Sequence, residues 1–245
     1  MSSWALVERG GRTPIAAHHR SGAQVAPVWS RDGARVFFAS NVEGNWEIYA
    51  VDAARPDVID TVLKKDSDQF PTSVAADGTL FFDELRPGLG TDIWLLLPGG
   101  APVAWLATPA EESLATLSPD GQLVAYTSNA SGRVEVYVRA RDGRAAGVPV
   151  STNGGGDPVW APAGDRLFFR EENAMMVATV RAGSAVSVSR PQQLFDRGWE
   201  LSAGVRFSVM PDGKWFLMIR FAPDAIPTRL DVIFNWFAEL RARVK

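Results

Sequence analysis

Carboxylates are the side chains of this 245-residue sequence that could perform chemistry or bind a ligand. They occur between consecutive apolar segments, at Asp66 and Asp68, at Glu111 and Glu112, and at Asp157. If these connections open on one face, their carboxylates could bind a cation or a basic peptide. The alternative is that they are ordinary solvated loop residues, as charged residues usually are.

Two aromatic residues, Phe70 and Trp199, lie near such connections along the sequence. Aromatic side chains are frequent anchors in protein–protein interfaces, but they are equally suited to a hydrophobic core. We predict a ligand- or partner-binding site formed by Asp68, Glu112, Asp157, Phe70 and Trp199. No catalytic residue, metal ligand or cofactor is predicted with it.

Other candidate motifs fail on spacing or context. His18 and His19 are adjacent, so on a strand they would point to opposite faces and could not readily share a metal ion. The Asn-Gly-Gly-Gly run at 153–156 lacks the Lys-Ser/Thr of a phosphate-binding loop and precedes a strand. The sequence has no cysteine, no Gly-x-Ser-x-Gly motif and no kinase nucleotide or catalytic loop. These observations favour a protein without catalytic activity.

Composition argues against two classes of partner. The 25 Lys and Arg against 28 Asp and Glu leave a net charge of −3, whereas nucleic-acid binding calls for clustered positive charge. The longest apolar runs, such as 93–97, are strand-sized and too short to cross a membrane. We therefore expect neither nucleic-acid binding nor a membrane span in this chain.

A repeated turn organises the chain around these residues. An Asp-Gly or equivalent pair precedes an apolar run five times, with the glycines at 33, 78, 121, 164 and 213. A repeat of this length, with strands on both sides of each turn, is typical of the blades of a β-propeller. The prediction is an all-β protein with four-stranded blades at 28–63, 72–106, 115–151, 158–188 and 205–236.

Two residue types in the repeat carry specific expectations. Gly33 and Gly121 should hold a positive φ, so that replacing either by valine costs more than about 1 kcal/mol. Trp29 and Trp160 occupy matching places just before a turn. Both are expected to pack between neighbouring blades.

The two ends of the chain differ from the repeat. Predicted short strands at 4–7 and 13–17 are not preceded by a turn of the repeated type. Residues 237–244 carry apolar side chains at helical spacing, which predicts a short C-terminal helix. No linker divides the sequence, so we predict a single domain over 1–245.

The repeats resemble a known family. The run SPDGQLVAYTSNASGRVEVYVRA at 118–140, followed by VSTNGGGDPVW at 150–160, is similar to the TolB-type, WD-like β-propeller repeat. The run RLDVIFNWFAEL at 229–240 resembles the ending of the propellers that follow the kinase domain in many bacterial serine/threonine kinases. Such propellers often have six units, and five are recognisable here. The five units are compatible with a shortened form of the six-bladed propeller that the resemblance implies.

The resemblance implies a non-catalytic module that binds or senses a protein, peptide or other ligand on one face. In that role the chain would be the sensor or scaffold of a kinase-linked signalling system or a Tol-like envelope system. A periplasmic or extracytoplasmic location is implied in the same way. The alternative is a propeller-type enzyme, or the gate domain of a peptidase or glycan-active hydrolase, because propellers host many unrelated activities.

Overall fold

The computed structural model describes residues 5–6, 15–16, 22–183, 185–196 and 207–218. The first two strands, β1 (Ala5–Leu6) and β2 (Ile15–Ala16), pair antiparallel, as predicted for this segment. The described residues form strands and turns and no helix. The predicted helix at 237–244, the last predicted strand, His18, His19 and Trp199 lie outside the described residues.

Two antiparallel sheets of four consecutive strands come next. The first blade has the strand order β3-β4-β5-β6, with β3 at Gln24–Trp29, β4 at Arg35–Ser40, β5 at Glu47–Asp52 and β6 at Arg55–Leu63. The second blade has the order β7-β8-β9-β10, with β7 at Asp68–Val74, β8 at Leu80–Arg86, β9 at Gly90–Leu96 and β10 at Pro102–Leu106.

The second half of the chain repeats this plan. The third blade comprises β11 (Glu112–Leu117), β12 (Leu123–Ser128), β13 (Glu135–Ala140) and β14 (Val148–Pro149). The fourth comprises β15 (Gly156–Trp160), β16 (Arg166–Glu171), β17 (Ala174–Arg181), β18 (Ser187–Val188) and β19 (Gln192–Asp196), with both β18 and β19 paired to β17. A hairpin of β20 (Ser208–Val209) and β21 (Phe216–Leu217) is the described part of the fifth predicted blade. The prediction of an all-β protein with four-stranded blades is confirmed.

The inner strand of each blade begins earlier than predicted. These strands start at Gln24, Asp68, Glu112 and Gly156, not at the first apolar residue of each run. Three of these first residues are polar and the fourth is a glycine, so hydropathy along one strand does not show that they pair within the sheet. The fourth blade also extends further than predicted, to Asp196.

The repeated turn has one geometry along the chain. Gly33 N donates a hydrogen bond to Ser30 O at 3.0 Å, and Gly121 N donates to Ser118 O at 2.8 Å. The φ angles of these two glycines are 70° and 72°. The expectation of a positive φ at both is confirmed, and glycine adopts this region without the steric penalty of a Cβ.

The core lies along the second and third strands of the blades. All six residues of β12 are buried, and so are the middle residues of β4, which include Phe37 and Phe38. Because both faces of these strands are covered, their apolar residues run consecutively and do not alternate with polar ones.

The chain forms two compact units, Met1–Ala115 and Thr116–Lys245, and the boundary falls within β11. The first unit contains the first two blades, and the second contains most of the third blade and everything after it. The prediction of a single domain over 1–245 stays a prediction.

Candidate functional site

The first unit is strongly acidic at the end where its inner strand β7 begins. This end, called the acidic end below, also contains the β4–β5, β6–β7 and β8–β9 connections and the segment leading into β11. Among the residues that the structure describes, this end has three basic side chains, Lys64, Lys65 and Arg86, against nine carboxylates: Glu43, Glu47, Asp66, Asp68, Asp83, Glu84, Asp92, Glu111 and Glu112. The opposite end of the same strands is closer to balance, with Arg31, Arg35 and Arg55 against Asp32, Asp52, Asp57, Asp60 and Asp77.

Asp68 joins the first blade to the second. Its Oδ1 accepts a hydrogen bond from the backbone N–H of Trp46 at 2.9 Å, and Gln69 N donates to Trp46 O at 2.7 Å. Sequence analysis treated Asp68 as a connection residue, but it is the first residue of β7. The carboxylate is a structural acceptor at the start of an inner strand, because it satisfies a backbone donor of the preceding blade.

Phe70 lies two residues further along β7 and is half-buried. Its ring centre is 5.7 Å from that of Trp46, with the planes tilted by 41°. The contact therefore joins the same two blades as Asp68 does. Phe70 packs between blades, and its remaining exposed surface belongs to the acidic end. Trp199, the other aromatic residue predicted for the site, lies outside the described residues.

Glu112 closes the loop that precedes β11. Its side chain is only 1% exposed, and its carboxylate accepts hydrogen bonds from the backbone N–H and the hydroxyl of Thr108. The prediction of a loop carboxylate is wrong here, because Glu112 begins β11 and is buried. Burying a carboxylate costs free energy unless hydrogen-bond donors such as these replace the lost water.

Asp157 belongs to the second unit, whereas the acidic end was defined on the first. It is the second residue of β15, where it has a φ of 51°, and its Oδ2 lies 3.1 Å from Nη1 of Arg170. Both side chains are about one-fifth exposed, at 19% and 21%. Asp157 is a partly buried member of an ion pair, so it too differs from the loop residue that was predicted.

Several buried acids at the acidic end were missed by the sequence analysis. Asp83 accepts hydrogen bonds from the backbone N–H of Leu114 at 3.0 and 3.2 Å. Glu84 accepts a bond from the Ser67 hydroxyl at 2.6 Å and pairs with Lys65. The signal was the Asp-Glu pair directly after the apolar run of β8. Both acids lie on β8, which continues past the apolar run to Arg86.

The basic side chains of the acidic end lie beside its carboxylates. Lys65 pairs with Glu84, Arg86 pairs with Asp92, and Lys64 pairs with Glu43 and Glu47. The hydrogen bond to Glu43 raises the pKa of Lys64 above its ordinary value of 10.5, so this ammonium remains charged at neutral pH. Because these three cations are already paired, the surplus of negative charge is not neutralised locally.

Exposed side chains complete the acidic end. Asp66 and Glu111 are exposed acids. Leu85 and Leu89 are exposed apolar residues, 39% and 69% accessible, on either side of the β8–β9 turn. Exposed carboxylates next to exposed leucines form a surface suited to binding, since interfaces combine apolar anchors with complementary charge.

Two further features bear on function, a metal site and a membrane-spanning helix, and neither is present in the described ranges 22–183, 185–196 and 207–218. No group of three or more His, Asp or Glu side chains in these ranges is arranged to hold a metal ion. Nor does any described segment form a helix long and apolar enough to cross a membrane.

The sheets and turns define the class of this protein, a β-propeller of four-stranded antiparallel blades. Solved structures similar to the chain are of the same class. TolB from Acinetobacter baumannii superposes with a TM-score of 0.68 at 16% identity, over 87% of this chain and 53% of that one. This chain therefore spans about half the length of that TolB.

Two further structures extend the comparison. A TolB-type protein from Agrobacterium tumefaciens gives a TM-score of 0.65 at 19% identity, over 87% of this chain and 76% of that one. A gluconolactonase from Xanthomonas campestris gives 0.62 at 13% identity, over 83% and 72%. No protein-family model and no curated protein sequence matches the chain. At these identities the similarity shows the fold and supports the TolB-type resemblance at the level of the β-propeller.

Proposed function

We propose that this protein is a non-catalytic binding module that holds a basic protein or peptide at the acidic end of its first unit. The observation that carries the proposal is the surplus of carboxylates there, next to the exposed side chains of Leu85 and Leu89. A surface of this charge attracts a basic partner over several ångströms, and the leucines supply an apolar anchor.

The hydrogen bonds of the predicted site residues favour binding over catalysis. Asp68, Glu112 and Asp157 each hold a part of the fold in place, through Trp46, Thr108 and Arg170 respectively. A general acid or base must instead be able to reach a substrate proton. The fold similarity to a gluconolactonase leaves the catalytic alternative as the competing hypothesis.

The biological setting is part of the same proposal. The repeat resembles TolB-type propellers, and its ending resembles the propellers of bacterial serine/threonine kinases. Both resemblances support a role as the sensor or scaffold of a signalling or envelope system, in an extracytoplasmic compartment. The activity of a whole TolB is not implied, because the chain spans about half of the Acinetobacter protein.

The test measures binding of a peptide of alternating lysine and leucine by calorimetry at 50 mM NaCl. Replacing two of the exposed acids, Asp66→Asn with Glu111→Gln, should weaken binding about tenfold while leaving stability unchanged. The matched control removes the same charge at the opposite end of the same unit, by Asp57→Asn with Asp77→Asn. Both of these are exposed, and their replacement should change binding less than twofold.

Two results would contradict the proposal. Equal losses in the two double variants would show that only net charge matters and that the acidic end is not a site. Turnover of a lactone, peptide or glycan that is abolished by one acidic substitution would replace the binding module with an enzyme.

A further inference from the structure

A cleft opens in the first unit at the end opposite to the acidic end, between the first and second blades. Its volume is about 590 Å³, within the range of about 300–1,000 Å³ that small-molecule sites occupy. Its walls include the side chains of Arg35, Phe37 and Val62 from the first blade and of Val74, Leu80 and Leu96 from the second. All of these belong to one compact unit.

The repeat itself shows why the cleft is open. Val74 lies four residues before the turn glycine of its blade, and the corresponding residue of the fourth blade is Trp160. The Trp160 indole is 7% exposed, and its Nε1–H donates to Thr116 O of the preceding blade at 3.0 Å. Valine is too small to make this contact, so the space that an indole fills in the second unit is left as a cavity in the first.

A second substitution in the repeat widens the opening. In the second unit, the turn of the third blade packs on the turn of the fourth. The two are so close that a Cβ added at Gly164 would lie 3.3 Å from Cδ of Pro119. The residue that corresponds to Pro119 in the first blade is Arg31. It lines the cleft, and the turn glycine of the second blade, Gly78, has Pro98 as its near neighbour instead.

The polar groups of the cleft favour a ligand that accepts hydrogen bonds. Asp32 already accepts bonds from the Ser30 hydroxyl and from Ala34 N, and Asp60 accepts one from Nη2 of Arg35 at 2.8 Å. The Arg35 guanidinium has five N–H donors, and within the described residues its hydrogen bonds go to Asp60 alone. Arg35 also lies over the Phe37 ring, 5.4 Å from its centre, at the border between the polar and the apolar wall.

We propose that this cleft binds a small carboxylate with an apolar body, such as an aryl-alkanoic acid. The apolar body packs between Phe37, Val74 and Leu96, and the carboxylate accepts hydrogen bonds from Arg35. Guanidinium and carboxylate groups match in charge and in geometry. The site is separate from the acidic end and does not depend on the function proposed for it.

The probe is 6-phenylhexanoate, compared by calorimetry with 6-phenylhexan-1-ol and 6-phenylhexylamine. The three molecules share one apolar body and differ in the head group. The wild-type protein should bind one equivalent of the acid, and should bind the alcohol and the amine at least tenfold more weakly. Absence of saturable binding of the acid up to 1 mM, or equal binding of all three, overturns the proposal.

Variants locate the binding. Arg35→Met keeps an unbranched apolar chain without the charge, and should weaken binding of the acid about tenfold while leaving binding of the alcohol within twofold. The matched control is Arg166→Met, because Arg166 occupies the same place in the fourth blade, 5.8 Å from the centre of the Phe168 ring. It should change neither affinity, and equal losses in the two arginine variants overturn the proposal.

A tryptophan variant that fills the cleft completes the test. Val74→Trp copies Trp160 into the first unit and should abolish binding of both acid and alcohol. Ala76→Trp, at an exposed residue of the cleft wall, serves the same purpose should the first variant not fold. If the tryptophan variant is folded and still binds the acid, the proposal is overturned. The proposal is also overturned if the wild-type protein sediments as a dimer and the tryptophan variant as a monomer, because a second copy of the chain would then occupy the cleft.

Discussion

Two interfaces between neighbouring blades differ in their side-chain packing, although corresponding positions of the same repeat form both. The contact between the third and fourth blades, in the second unit, is closed by the indole of Trp160 and by Pro119. The contact between the first and second blades, in the first unit, has Val74 and Arg31 at the corresponding places and contains a cleft of about 590 Å³. The packed contact and the cleft thus differ at two corresponding places of the repeat.

The difference shows where a propeller can vary without losing its fold. The turn hydrogen bonds and the positive φ of the turn glycines are the same on both sides of the comparison, at Gly33 and at Gly164. The side-chain packing between blades is what changes, and it depends on side-chain volume and not on the backbone.

The largest effect is expected from opening the closed contact. Trp160→Val should lower the free energy of unfolding by about 3–5 kcal/mol, because it removes a buried indole and leaves Thr116 O without its donor. Trp29→Val is the matched control at the same place of the first blade, where the side chain is 49% exposed. Its cost should stay below about 1 kcal/mol.

Urea unfolding of the two tryptophan variants measures the contrast. The exposure of Trp29 also corrects the expectation that both tryptophans pack between blades. Similar losses of unfolding free energy in the two variants would show that Trp29 is buried in solution. The contrast between the two tryptophans would then be wrong.

The turn glycines should show a smaller contrast. Both Gly164 and Gly33 have a positive φ, 77° and 70°, so alanine is strained at either position. A Cβ at Gly164 would additionally press on Pro119 Cδ at 3.3 Å, whereas a Cβ at Gly33 would meet nothing within 4 Å. We expect Gly164→Ala to cost about 2 kcal/mol and Gly33→Ala about 1 kcal/mol in denaturant unfolding. A larger loss at Gly33 would be inconsistent with a tighter contact in the second unit.

Exchanging the residue types at the turns should have a still smaller effect. Arg31→Pro places proline where Pro119 stands in the third blade, and should raise stability by about 0.5 kcal/mol by restricting the unfolded chain. Pro119→Arg should lower stability by about 1 kcal/mol, through the lost restriction and the lost contact with Gly164. Thermal unfolding of both variants tests the pair. Shifts of the same sign would show that the two turns are not equivalent.

The smallest effect concerns the titration of Asp32. The hydrogen bond from the Ser30 hydroxyl, with a second from Ala34 N, holds the pKa of Asp32 below its ordinary value of 3.8. The contribution of these bonds to stability is therefore complete above the unfolded value of 3.8, and it is lost as the pH falls through the folded-state pKa. Ser30→Ala should move this pKa up toward 3.8 in an NMR titration. An unchanged pKa would show that the backbone donor alone is responsible.

The sequence by itself determined the repeat, the all-β class and the conformation of the turns. These features depend on neighbours along the chain. An Asp-Gly pair favours a tight reversal with positive φ, and repeated apolar runs of strand length favour a sheet covered on both faces. For this reason the apolar runs that follow the turn glycines lie in the buried strands β4, β8, β12 and β16.

Only the tertiary structure decided the roles of individual side chains. Asp68 and Glu112 look like loop acids in the sequence, and they became buried or bonded acceptors because Trp46 and Thr108 present donors to them. Trp160 is buried and Trp29 is exposed, although both precede the same turn. Burial and free volume are set by segments that are distant in the sequence, so no pattern along one strand contains them.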